Sequence, residues 1–341
     1  MVPYAPPAQP LWQPSAPWAA PAAPVLVPVP GPGQFVTIPG LETPHWMLVA
    51  EALWLERSVG NSVGLGFSAY NGGSGGHYGV TDSLYTDDVL LPLETGVRLQ
   101  ISRRISDRAA IEASYWGMQQ WSVGETIYGD PTNDTVLTFS PWLQLSPAIG
   151  GMNDHLGYTY SSQVHNAEIN ERLLLNAYNP YWALDWLWGF RYFHLSDDFT
   201  LSGSDQDTGY SENLNYQTNN NLVGMQIGLQ GVRGWDRFQV ITEGKVGLLA
   251  NFYTQQGIDS AGGNPPGFTP LDASHNGTDL AALFEVSITA RLRVSQYLWL
   301  RAGYQFYCVT GLALAPRQLS GQDHGGTVSL DGLSLGLETA W

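Results

Sequence analysis

Apolar residues in this chain recur at every second position over long runs, the spacing of a strand with one face turned to a hydrophobic phase. In 91–102, Leu91, Leu93, Thr95, Val97, Leu99 and Ile101 alternate with Glu94, Arg98, Gln100 and Ser102. The stretch 280–293 repeats the pattern, setting Leu280, Phe284, Val286, Ile288 and Leu292 against Glu285, Ser287, Thr289 and Arg291. In 182–192 the apolar parity is bulky throughout: Trp182, Leu184, Trp186, Trp188, Phe190 and Tyr192 oppose Asp185, Gly189 and Arg191. The last stretch closes on Leu333, Leu335, Leu337, Thr339 and Trp341, one parity ending in an aromatic. Such runs predict about ten strands, beginning near residues 45, 91, 108, 158, 181, 210, 237, 280, 298 and 327. A hairpin hidden in the irregular region 119–157 would make twelve, and Glu171 breaks the apolar parity of 158–175.

The connections alternate in length. Those near 103–107, 176–180, 232–236 and 294–297 are short, whereas 58–90, 119–157, 255–277 and 313–326 are long. Short turns at one end and long loops at the other are the mark of an up-and-down membrane barrel. An even strand count then puts both barrel ends on the short-turn side, which predicts a periplasmic N-terminus.

The polar parity carries the charge. It holds Glu51, Glu94, Glu112, Glu168, Asp185, Glu243, Glu285 and Glu338. Arg57, Arg98, Arg172, Arg191, Lys245, Arg291 and Arg301 share it. On a dry apolar core face each unpaired ion would cost on the order of 5 kcal/mol or more. On the lipid face a mid-membrane Arg would cost about 2–4 kcal/mol. A narrow lumen offers both an ionic partner and water. These fifteen residues are therefore the predicted lumen lining of an all-β, antiparallel transmembrane barrel. Trp46, Trp54, Trp182, Trp186, Trp188, Tyr192, Tyr304 and Trp341 are its predicted lipid-facing or girdle aromatics.

Composition narrows the alternatives. Charged residues are only 13%, with Trp at 13, Tyr at 17 and Gly at 39, as expected of a sheet whose outer face meets lipid. A net charge of −16 disfavours nucleic acid as a partner, since phosphate recognition needs clustered positive charge. The single Cys308, on the predicted lipid parity, excludes an intrachain disulfide. No apolar run is long enough for a membrane helix. Residues 1–44 hold more than half of the 22 prolines and read as a disordered or semi-rigid extension, leaving 45–341 for the barrel. No secretory leader is visible at the N-terminus, so an exported barrel implies a processed chain or an upstream start.

Six stretches carry a family likeness: EALWLER (51–57), LDWLWGFRYFHL (184–195), NNNLVGMQIGLQG (219–231), WDRFQVITEGKVGLLANF (235–252), GLALAPRQL (311–319) and GLSLGLETAW (332–341). Their order and spacing resemble the beta-barrel porin family of the porin-seven type, found mainly in planctomycete bacteria. The resemblance spans roughly residues 46–341 and implies an outer-membrane barrel behind a signal peptide. The family's name implies pore formation but no particular solute.

Catalytic chemistry finds little footing. No phosphate-binding loop, dinucleotide fingerprint, HExxH or GxSxG motif occurs, and the seven histidines are scattered. Asp205 to Gly209 (DQDTG) starts like a calcium loop but lacks the later carboxylate, so a solvated loop tip is the better reading. Carboxylates recurring once per strand beside Arg fit lumen solvation better than the two singular acids of a glycosidase. The sequence therefore predicts no enzyme, no cofactor and no metal site. It predicts an outer-membrane barrel in contact with a lipid bilayer, acting as a narrow porin for passive diffusion of small solutes or ions. The alternatives are a structural or adhesive surface barrel acting through loops such as 203–209 and 255–277, or a secreted carbohydrate-binding β-protein. Oligomeric state has no signature in the sequence.

Overall fold

The computed structural model describes residues 45–58, 64–71, 78–85, 91–129, 135–139, 154–175, 182–235, 237–263, 272–318 and 325–341. The proline-rich extension 1–44 lies outside them. In chain order the strands are β1 (Trp46–Arg57), β2 (Gly64–Asn71), β3 (Tyr78–Tyr85), β4 (Leu91–Arg104), β5 (Ala109–Tyr128), β6 (Thr135–Phe139) and β7 (His155–Leu174). β8 (Trp182–Asp205), β9 (Tyr210–Trp235), β10 (Phe238–Gly262), β11 (Asp272–Arg293), β12 (Leu298–Leu312) and β13 (Gly326–Ala340) follow. A one-turn helix, α1 (Ala315–Gln318), sits between the last two.

Ten strands close an antiparallel barrel in the order β1-β13-β12-β11-β10-β9-β8-β7-β5-β4. Closure is direct: Glu51 pairs with Gly336 on β13 and with Arg98 on β4. The remaining three strands form a separate sheet, β3-β2-β6. The region 119–157 thus adds no hairpin to the barrel. Its described parts are the end of β5, the start of β7 and β6, which pairs with β2 from the predicted 58–90 loop.

The outer surface carries a belt of bare apolar side chains. Leu280 is 66% exposed and Leu248 60%, alongside Val223, Met225, Ile227, Val286, Leu333 and Leu335. A soluble protein does not leave so continuous an apolar band in water. Leu280 to Leu292, tilted as barrel strands are, spans roughly 30 Å, close to the apolar height of a membrane barrel. Trp46, Trp182, Trp235, Phe238, Tyr297 and Trp341 rim it at the short-turn end, all exposed.

Beyond the belt the faces exchange roles. In β8 the outward residues through Tyr192 are apolar, but from there Phe193, Leu195, Phe199 and Leu201 point inward and are buried. Ser196, Asp198, Thr200 and Ser202 take the outside. β7 and β13 show the same inversion, with Leu156, Tyr158, Val328 and Leu330 buried inside. The wall is therefore lipid-soluble at one level and water-soluble with a greasy interior at the next. β9, of 26 residues, is about 65 Å long along the axis, far more than a bilayer needs. β8 and β9 are joined there by a tight turn rather than a long loop.

Two bulges re-aim side chains. Register shifts between Gly117 and Gln120 opposite β7, with Met118 at φ 73°, a left-handed conformation few non-glycine residues adopt. The shift flips the parity of β5, so that Trp116, Gln119 and Trp121 are all buried inside. A second irregularity, between Leu55 and Arg57 opposite β4, turns Leu91 inward at 1% exposure, against its expected outward parity.

Candidate functional site

The chemistry of this barrel lies in its lumen, where the inward residues of all ten barrel strands meet at the level of the apolar belt. Each inward position is set by the two-residue period of its strand, and adjacent strands bring the charges into register. Lys245, the only lysine in the chain, is the hub. Its Nζ lies 2.8 Å from Glu243, 3.1 Å from Glu168 and 3.3 Å from Glu285. Arg191 reaches Glu168 at 2.6 Å and also bonds Glu285. Arg172 grips Glu112 with two nitrogens, at 2.7 and 2.9 Å, and Glu243 at 2.7 Å.

A second group lies on the closing strands. Arg301 donates to Glu51 at 2.8 Å and to Glu338 at 2.5 Å. Arg98 joins Glu51 at 3.3 Å and also donates to Gln305 and Tyr307. Arg291 bonds Glu338 and donates to Gln239 at 2.9 Å. Amides fill in remaining acceptors: Gln226 donates to Glu168, Gln230 to Glu243 and Gln100 to Glu112. Bidentate and amide-supported contacts of this kind are what make burial of so many ions tolerable.

The predicted lining is thus placed inside the barrel and mostly joined in two networks. Asp185 is buried on the same face. Glu94 is half-buried, with no ion pair among the described residues. Arg57 sits apart and higher, clamped by both carboxylate oxygens of Asp197 at 2.9 and 3.1 Å, with Tyr160 donating to Asp197 at 3.0 Å. Asp197 escapes the parity pattern because the outward apolar run of β8 ends at His194, where the faces exchange. The predicted girdle aromatics lie on the outer wall, with Trp46, Trp182, Trp188, Tyr192, Tyr304 and Trp341 exposed and Trp54 and Trp186 half-exposed. Glu171, also on the outside, accepts a hydrogen bond from the Trp188 indole at 3.0 Å.

A cavity of about 30 Å3 lies among Arg98, Glu112, Arg172, Glu243, Lys245 and Arg301, room for roughly two waters. Above it the interior is apolar and packed. Trp116 lies against Tyr307 with ring centroids 4.6 Å apart and edge-on to Phe193 at 6.2 Å. Leu312, Ala313, Leu314 and Ala315 fold into the bore, fully buried or nearly so. An amide clasp holds them there. Asn220 accepts from Ala313 N at 2.8 Å and donates to Ala313 O at 2.7 Å, while Asn251 donates to Gly311 O at 2.9 Å.

At the tip of the β8–β9 turn, Asp205 accepts from the amides of Asp207 and Thr208 and from the Thr208 hydroxyl at 2.6 Å. That hydroxyl and those amides hold its carboxyl below the usual range. The DQDTG segment is thus a self-capped turn. Among the described residues no cluster of three His, Cys, Asp or Glu is arranged to hold a metal ion.

Neither a family model nor a curated protein matches the chain. Among solved structures it is similar to the outer membrane protease OmpT from Escherichia coli, at 12% identity and TM-score 0.50, covering 87% of this chain and 97% of that one. It also aligns with a Pseudomonas aeruginosa FadL homologue (12% identity, 87% and 89% covered, TM-score 0.24) and with the CymD monoaromatic hydrocarbon channel (11% identity, 87% and 89% covered, TM-score 0.28). The protein has the fold of an outer-membrane β-barrel. At these identities the likeness concerns fold alone.

Proposed function

We propose that this protein is an outer-membrane barrel whose lumen is closed at rest, anchoring a tall extramembrane half rather than serving as a general diffusion pore. The observation that carries this reading is the filling of the bore: two ion-pair networks at belt level, with tryptophan, tyrosine and the clasped segment 312–315 packed above them. A barrel of this strand number falls between those filled by side chains and those wide enough for an aqueous channel, so the lining decides the outcome. Here the lining meets across the bore.

The extramembrane half supports the same reading. Four neighbouring strands run far past the belt, their outer faces become polar, and a three-stranded sheet rises from the same end. That is the build of an exposed platform, with the short turns and the N-terminal extension on the periplasmic side. The narrow-porin reading draws on the small polar cavity around Lys245, which could be one stage of a path for ions if the plug above it moved aside. Planar bilayer recording of the purified, refolded chain separates the two: the closed-barrel reading expects no steady conductance, and a stable open level would favour the porin.

A further inference from the structure

The lumen leaves half of the cations unexplained. Of the 14 Lys and Arg in the chain, six lie at the short-turn end: Arg103, Arg104, Arg108, Arg233, Arg237 and Arg293. Beyond the belt at the opposite end, outside the lumen, the remaining cation is Arg317. That far end instead carries carboxylates on its outer face, among them Asp198, Asp207, Asp272 and Asp331. The two ends of the barrel thus differ sharply in sign.

The short-turn arginines are also built into the membrane boundary. Arg103 continues the outward parity of Leu99 and Ile101, and its guanidinium lies 5.2 Å from the centre of the Trp46 ring. Arg233 continues the outward parity of Ile227 and Leu229 on β9, with its guanidinium 5.3 Å from the Trp235 ring, which itself stacks on Phe238 at 6.1 Å. β4 and β9 lie on opposite sides of the barrel. Stacking on an indole leaves the in-plane N–H donors of a guanidinium free for another acceptor, and guanidinium matches phosphate oxygens with paired hydrogen bonds. Among the described residues carboxylates are scarce nearby: Asp107 is engaged by Arg104 at 2.6 Å and Glu171 by the Trp188 indole.

We propose that this rim is a binding belt for the phosphate head groups of anionic glycerophospholipids, with the Arg103–Trp46 and Arg233–Trp235 pairs as its two outward-facing seats. The aliphatic belt ends at these residues, so their heads lie where lipid phosphates lie and their rings where the acyl chains begin. Charge complementarity selects the occupant, since an anionic leaflet attracts basic residues at its surface. The acidic far end would repel the same lipid. The proposal requires only that the barrel sit in a bilayer, and it stands whether the lumen is open or closed.

Native mass spectrometry of the full-length refolded chain, loaded with equal amounts of phosphatidylglycerol and phosphatidylcholine of matched acyl chains, tests it. Retained lipid should be enriched in phosphatidylglycerol by at least about fivefold, the factor of one such basic contact. The R103Q/R233Q variant should lose most of that enrichment, while R317Q should keep it. Equal retention of the two lipids by the unsubstituted protein would overturn the proposal without needing any variant to fold. Full enrichment in R103Q/R233Q, or its loss in R317Q, would overturn the assignment to these seats.

Discussion

Replacing Lys245 by methionine keeps most of the side-chain stem and removes the charge that Glu168, Glu243 and Glu285 share. The size of the effect depends on how dry the lumen is. Deleting one partner of a buried pair costs about 3–5 kcal/mol, because the other charge is left without compensation. Here Arg191 and Arg172 still face the three carboxylates, and the 30 Å3 cavity admits water beside them. Both features put K245M at the lower end, about 3 kcal/mol. In a solvent-filled lumen the same contacts would be worth about 0–1 kcal/mol, as at a protein surface. Equilibrium urea unfolding of the barrel folded into lipid vesicles, followed by tryptophan fluorescence, reads the difference. The E243Q variant and the double variant complete a cycle that isolates the pair from any change in the unfolded chain. A loss below about 1 kcal/mol, or one that shrinks strongly with added salt, would refute a packed ionic layer.

Three further outcomes follow from other parts of the wall. Trp116→Ala removes one of the largest buried side chains in the bore and should cost about 3–5 kcal/mol in the same unfolding assay, whereas a ring facing open water would cost far less. Asn220→Ala should speed hydrogen exchange across 312–318 while leaving the belt strands protected, since a buried backbone group without its partner costs about 1–3 kcal/mol; unchanged exchange would mean the clasp holds nothing. Asp259 lies beyond the belt, where burial and the neighbouring Glu212 carboxylate push it up to about 6. A carboxyl raised on folding costs nothing while protonated, and its penalty grows as pH climbs from the ordinary value of 3.8 to about 6. D259N should therefore be more stable than the unsubstituted protein at neutral pH, with the gap closing below 3.8, as read by denaturant midpoints across pH.

The belt was legible in the sequence because lipid on one side and ions on the other give an unbroken alternation, as in 91–102 and 182–192. The upper half was not, for a physical reason. Past Tyr192 the apolar residues change parity, since water has replaced lipid outside and packing has replaced ions inside. A reading that follows one apolar face therefore ends the strand at His194 and loses Asp197, the partner of Arg57. β5 was cut at Met118 for a related cause: the Gly117–Met118 bulge shifts the parity by one, so a continuous strand reads as two unlike halves. Small departures such as Leu91 turning inward depend on where the β1–β4 register slips. Alternation within one strand carries no trace of that. The filling of the bore was the hardest feature to foresee, because it needs side chains from β5, β8 and β12 to meet, and no single strand encodes the distance between them.

A closed bore implies that the one lysine of the chain is shielded from bulk water even though it is charged. Lys245 is 6% exposed and ringed by carboxylates. Acylation of the folded, membrane-embedded protein with a water-soluble amine reagent, read by mass spectrometry of the peptide around residue 245, measures that shielding directly. In a closed bore Lys245 stays unmodified until the barrel is unfolded and then reacts fully. Rapid modification in the folded barrel would contradict a closed lumen.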